Sequence, residues 1–341
     1  MRPCIRLTWL LALGMAAPAC AQYSSDSRYD PNRTHPTEVI RDLQMLSPER
    51  RVDTAMALLT GPSDSGPKIA TQILLAERAE YVVPRIVDAI SFDVQFEDPD
   101  KRRFAFIVLA SKQEWPNPRT YELLADGLLD FRVDDVCRLA FEQAPPDRRG
   151  QAAATLGDRM ERWYQQQGPA TGAALGILGA YGKDGTSAFE MVKRIFLEPS
   201  QRFPDNRVTA GLTLAQIGGL HRAIELYTHM DSLQYVGALS GLAWLGGQSP
   251  SPYTVDPARA RQAQAITVEA LALPAQSVVR AALETLPLVY GDSLYVAEGT
   301  ARVLHPNLKA GLIAGAEKQT DPLLRNVLVT SLRQYEASAA N

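Results

Sequence analysis

One helix recurs along this chain, and its recurrence limits what the chain can build. It opens near a residue that is usually arginine, sets small residues at three-residue spacing, and then reaches a leucine. The instances are Arg51, Thr54, Ala57, Leu58; Arg102, Ala105, Val108, Leu109; Arg149, Ala152, Thr155, Leu156; Arg207, Ala210, Thr213, Leu214; Tyr235, Ala238, Gly241, Leu242; and Arg325, Leu328, Ser331, Leu332. Small residues three apart form a stripe against which a second helix can lie closely, with the leucine filling the space beside it. Such helices cannot bury themselves singly, so stacked helix pairs are expected.

The breaks agree with this. A side chain able to cap a helix precedes proline at Ser47-Pro48, Asp98-Pro99, Asn117-Pro118, Asp256-Pro257 and Asp321-Pro322. Its oxygen accepts from an orphan N–H of the first turn, and proline at the first helical position gives up a donor that had no partner. Each pair predicts a helix start. Glycines at 61, 182, 218–219, 246–247 and 291 predict stops, where a left-handed residue closes the last turn. No long window of alternating β-branched residues intervenes, so the predicted class is all-α: an α-solenoid of antiparallel helix pairs over residues 37–337, with 338–341 frayed.

The first residues read as an export signal. Arg2 and Arg6 precede the uncharged run Leu7–Ala17, which is too short to span a bilayer, and Ala19-Cys20-Ala21 fits a signal-peptidase site. Residues 1–21 are therefore expected to be removed and 22–36 to form a polar leader, placing the chain in the periplasm or outside the cell. Cys20 as the lipidated cysteine of an anchored lipoprotein is the alternative. No later apolar stretch is long enough to cross a membrane.

Removing Arg2 and Arg6 moves the net charge from −3 to −5, which gives no attraction for nucleic acid. Of the three cysteines, Cys4 and Cys20 lie in the signal, and Cys137 sits on a helical pattern where a core position is expected. No internal disulfide then supports the cleaved chain.

Asp98-Pro99 with Arg102, Ala105 and Leu109, and Asp321-Pro322 with Leu324, Arg325 and Leu332, resemble the second half of a HEAT repeat. The segment Tyr81–Ile90, with its Pro84, is similar to a HEAT helix as well. The resemblance implies that Asp and Arg at these positions hold successive repeats in register and that the array is a scaffold for other molecules. The period of about 34 residues and the Trp-Leu-Gly-Tyr pattern of a tetratricopeptide array are absent.

Chemistry is hard to find in this sequence. His221 and His229 are expected on one helix, but eight residues separate them by roughly 12 Å, too far to share a metal unaided. There is no Gly-x-Ser-x-Gly elbow, and the glycine-rich run Gly172–Gly182 lacks the Lys-Ser or Lys-Thr of a phosphate loop. Small residues admitting a close helix explain that run instead. The acidic groups Glu97-Asp98-Asp100 and Asp126-Asp130-Asp134-Asp135 match no calcium-loop spacing. No cofactor or metal is expected.

Three aromatics beside prolines, Trp115, Phe203 and Tyr253, are the candidate partner-binding residues, because loops on a rigid scaffold commonly carry recognition. The expected function is an exported, non-catalytic scaffold that binds a protein or peptide on one face. An enzyme with carboxylates in the solenoid groove and an envelope-anchored structural lipoprotein are the alternatives.

Overall fold

The computed structural model describes residues 36–91, 98–198, 202–226 and 230–340. The signal and nearly all of the leader, with Cys4, Cys20 and His35, lie outside the described residues, as do Glu97 and His229. The chain is all-α, built of stacked helix pairs, and it divides into two compact units at Val108/Leu109, where the spacing predicted one array.

The first unit holds α1 (Pro36–Gln44), α2 (Pro48–Thr60), α3 (Gly66–Ala76), α4 (Ala79–Ser91) and the start of α5 (Pro99–Ser111). Helix α2 is central, packing on α1, α3 and α4. Its buried positions are Val52, Ala55 and Leu59, whereas Ala57 is exposed, so the stripe read for this helix is one position out of register.

The second unit continues through α6 (Pro118–Gly127), α7 (Asp134–Glu142), α8 (Arg149–Trp163), α9 (Gly168–Tyr181), α10 (Phe189–Leu197), α11 (Asp205–Gln216) and the short α12 (Leu220–Glu225). After these come α13 (Ser232–Gly246), α14 (Pro252–Val255), α15 (Pro257–Ala270), α16 (Gln276–Tyr290), α17 (Pro306–Lys318) and α18 (Pro322–Ala340). Two rows result. Helices α6, α8 and α10 lie side by side, as do α15 and α17, and they form the first row. Helices α7, α9, α11, α13 and α16 lie side by side as the second row, so each element touches its own pair and the matching helix of the next pair. This is a helical solenoid.

All five capping-residue–proline pairs start helices. Side-chain caps are present at Asp98, Asn117, Asp256 and Asp321, where the carboxylate or amide oxygen accepts an N–H two residues on at 2.8 to 3.0 Å. Ser47 makes no such bond. The glycine stops divide. Gly182, Gly218 and Gly291 have the expected positive φ, but Gly61 (φ −68°) and Gly247 (φ −77°) do not. Gly246 has a different reason to be glycine: a β-carbon there would sit 2.4 Å from the Leu288 carbonyl oxygen on α16.

The recurring arginine has a specific task. Arg51 donates to the Leu43 and Leu46 carbonyls at 3.1 and 2.9 Å, Arg149 to Ala144 at 3.2 Å, and Arg325 to Gln319 at 2.8 Å. In each case the guanidinium closes the end of the preceding helix, satisfying orphan carbonyls where the dipole favours a cation.

Two ladders tie the pairs together. Along the second row, buried hydroxyls reach carbonyls of the neighbouring helix: Tyr181 to Phe141 at 2.6 Å, Thr213 to Leu175 at 3.1 Å, and Thr285 to Leu239 at 3.3 Å. Between α11 and α13 the contact is backbone on backbone, since a β-carbon on Gly211 would lie 2.4 Å from the Gly237 carbonyl carbon. Along the first row the ladder is ionic. Arg159 meets Glu122 at 3.1 Å and Asp126 at 3.3 Å, Arg194 meets Glu161, and Arg222 of α12 meets Glu190 at 3.7 Å.

Two expectations fail. Residues 291–305 are not wholly helical: Tyr295–Glu298 (β1) and Ala301–Leu304 (β2) form an antiparallel hairpin, turned at Gly299 with φ +64° and resting on α18. Helix α18 also runs on to Ala340, and Ala339 is buried, so the segment after 337 is helical rather than frayed.

Candidate binding surface

The three candidate aromatics fall into three different settings. Trp115 is 37% exposed in the turn before α6. Phe203 is half-buried, its ring lying over Gly168 so closely that a β-carbon there would meet ring carbons at 2.2 Å. Arg202 stacks on the same ring at 5.6 Å.

Tyr253 is not a surface residue: it is only 8% exposed, and its hydroxyl donates to the Leu242 carbonyl at 3.2 Å. The proline-rich break folds as α14, capped by Ser251, and this turn swings the ring inward. Burial raises the phenol's pKa well above its usual value. Tyr253 is therefore withdrawn from the exposed set.

Of the two histidines expected on one helix, His229 lies outside the described residues. Helix α12 ends at Glu225, short of position 229, so the helix expected to carry both stops before reaching the second. His221 is buried, with Nδ1 2.5 Å from Gln262 Oε1 and its ring edge-on to Tyr253 at 5.9 Å. Burial holds its pKa below the ordinary histidine range, outweighing the Gln262 contact. Cys137 is fully buried on α7. Among the described residues, no group of three or more His, Cys, Asp or Glu is placed to hold a metal ion.

Acidic side chains do occur in surface recesses, but singly. A recess of about 310 Å³ at the turns before α10 and α12 is lined by Phe189, Glu190, Gly219 and Arg222, with the Arg222 guanidinium 4.8 Å above the Phe189 ring. A second, of about 450 Å³ between α17 and α18, has Leu312, Ala316, Val329 and Leu332 around Glu317 and Arg325. Neither recess brings two carboxylates together, as acid–base hydrolysis would need. Elsewhere Glu122 and Asp126 do stand together, with Arg159 against both, and burial raises the Asp126 pKa despite that contact.

In the second unit the middle of the second row is nearly free of charge, while its outer helices α7 and α16 carry the exposed ion pairs Arg138–Glu142 and Arg280–Glu284. The first row carries the ionic ladder. In the second row, α9 and α13 contain no Asp, Glu, Lys, Arg or His, and α11 has only Asp205 and Arg207 at its first turn. Arg207 is buried and paired with Asp231 at 2.5 Å.

Among the positions of these helices that reach the surface, one set recurs every three or four residues: Ala173 and Gly176 on α9, Val208 and Leu212 on α11, and Val236, Ser240 and Trp244 on α13, with the polar Thr209 and Gln216 of α11 beside them. They make an uncharged, largely apolar strip three helices wide, flanked by exposed Leu139 on α7 and Leu288 on α16. The glycine-rich run of α9 is expected to supply small residues for close packing. That holds at Gly179, where a β-carbon would strike Gln216, and fails at Gly176, which has nothing within 4 Å.

No protein-family profile matches the chain, and no curated protein matches it in sequence. No helix among the described residues is long and apolar enough to cross a membrane.

Proposed function

We propose that this chain is an exported, non-catalytic scaffold of HEAT-repeat type whose second-row face receives a protein or peptide partner. The observation that carries the proposal is the uncharged strip over α9, α11 and α13, set opposite a first row rich in charge. Soluble proteins seldom leave so broad an apolar surface without a use, and interface centres are depleted of charge in this way. The arginine closures and the two ladders give the rigidity that lets a partner bind without first ordering its receptor.

A photo-crosslinking residue placed at Leu212 in the exported fraction should trap one stoichiometric partner, and the same residue at Arg162 on the first row should not. Equal capture from both positions, or turnover of a small substrate by the purified chain, would count against the scaffold reading.

A further inference from the structure

We propose that His221 is a pH-operated latch that holds the segment 247–256, including α14, against the body of the solenoid when neutral and lets it go when protonated. The geometry is a three-way junction. Nδ1 pairs with Gln262 on α15, the ring meets Tyr253 on α14, and Tyr253 in turn is tied to the Leu242 carbonyl on α13. His221 therefore joins α12 to the two helices that bracket the break. Its Nε2 is buried and has no hydrogen-bond partner among the described residues.

The Gln262 carbonyl oxygen only accepts, so Nδ1 carries the proton and Nε2 holds a lone pair in neutral His221. A neutral buried acceptor left unpaired costs less than a charged group in the same place. Protonation turns Nε2 into a charged donor with nothing to receive it, and burying an unpaired cationic N–H is costly. Release of the segment that carries Tyr253 would open the site to water, which can accept from the charged N–H.

The charged neighbours do not prevent this. Arg259 opposes the extra charge, while Glu225 and Asp256 favour it. Asp256 is already engaged by the Ala258 and Arg259 amides and the Arg259 side chain. From the other packed elements, α14 contributes Tyr253, and α13 contributes no ionic group at all.

The sign of the effect follows. A histidine whose folded pKa is depressed binds more protons once released, so the closed state is favoured above the released pKa of about 6.5 and loses ground as pH falls below it. The closed-to-open ratio can fall by up to about tenfold per pH unit in that range.

Hydrogen exchange followed by mass spectrometry on the whole chain, corrected for intrinsic rates, tests it. Protection of residues 252–257 should drop severalfold between pH 7.5 and 5.5, while that of α17 stays level. His221→Gln should abolish the difference. An unchanged profile in the native chain, or the same drop in the variant, overturns the proposal. Should the variant not fold, NMR titration of the native histidines decides: the latch requires the His221 resonance to titrate together with the loss of protection, and separate midpoints refute it.

Discussion

Gly211→Val should lower the stability of the second unit by at least about 3 kcal/mol, the upper end of the usual cost of overpacking. A β-carbon at this position would stand 2.4, 2.5 and 2.7 Å from three backbone atoms of Gly237, and backbone cannot turn aside as a side chain can. Helices α11 and α13 would have to separate. That would also pull apart the close approach at Gly241, where a β-carbon would stand 2.8 Å from the Gly211 oxygen.

Gly176→Ala is the matched control. It too lies in a helix interior, but nothing stands within 4 Å, so the gain in helix propensity should appear alone as about 0.5–1 kcal/mol of stabilisation. Urea unfolding of the two variants should therefore move in opposite directions. If Gly211→Val were neutral, the second row could not be packed backbone on backbone.

Asp231→Ala should cost about 3 kcal/mol, because one carboxylate serves two elements. Its Oδ1 accepts from the Leu233 and Gln234 amides, while Gln234 returns a bond to the Asp231 N–H, completing a capping box on α13. Its Oδ2 receives Arg207, whose side chain is only 4% exposed. Losing a cap costs about 1 kcal/mol, and stranding a buried guanidinium costs more, though Asp231 is itself partly open to water and that moderates the loss. Replacing both partners, as Arg207→Met with Asp231→Asn, should recover much of the deficit, because no unpaired charge then remains inside. A double variant worse than Asp231→Ala would show that the pair itself, rather than the stranded charge, sets the cost.

Much of this fold could be read from residue order, for local reasons. The capping-residue–proline pairs place helix starts because their hydrogen bonds lie within three residues of the cap. The Asp231–Gln234 box has an equally local signature, an Asp followed three residues later by Gln, and could have been found the same way.

Other features have no such signature. Both ladders join residues 32 or more apart at uneven spacing, and along the second row the acceptors are carbonyls, which every residue possesses. The hairpin escaped because each strand has four residues, below the length at which alternation stands out, although Gly299 marks its turn.

The stripe of small residues pointed to close packing of the right kind at displaced positions. Ala210 and Ala238 are buried, but the closest approach is at their neighbours Gly211 and Gly237. Tyr253 was misplaced because proline-rich breaks suggest surface loops, whereas here Pro252 opens a helical turn. The uncharged face was legible only after the helices had been sorted into rows, since α9 and α13 each look like core helices when taken singly.

The account turns on whether that face is where a partner sits. Leu212→Lys places one charge in its middle, on a half-exposed position from which the ammonium can reach water, so folding should be preserved. Calorimetric titration with the partner recovered through Leu212 should show a Kd weakened at least about tenfold with an unchanged unfolding midpoint. An unaltered Kd at equal stability would contradict the assignment of the second-row face.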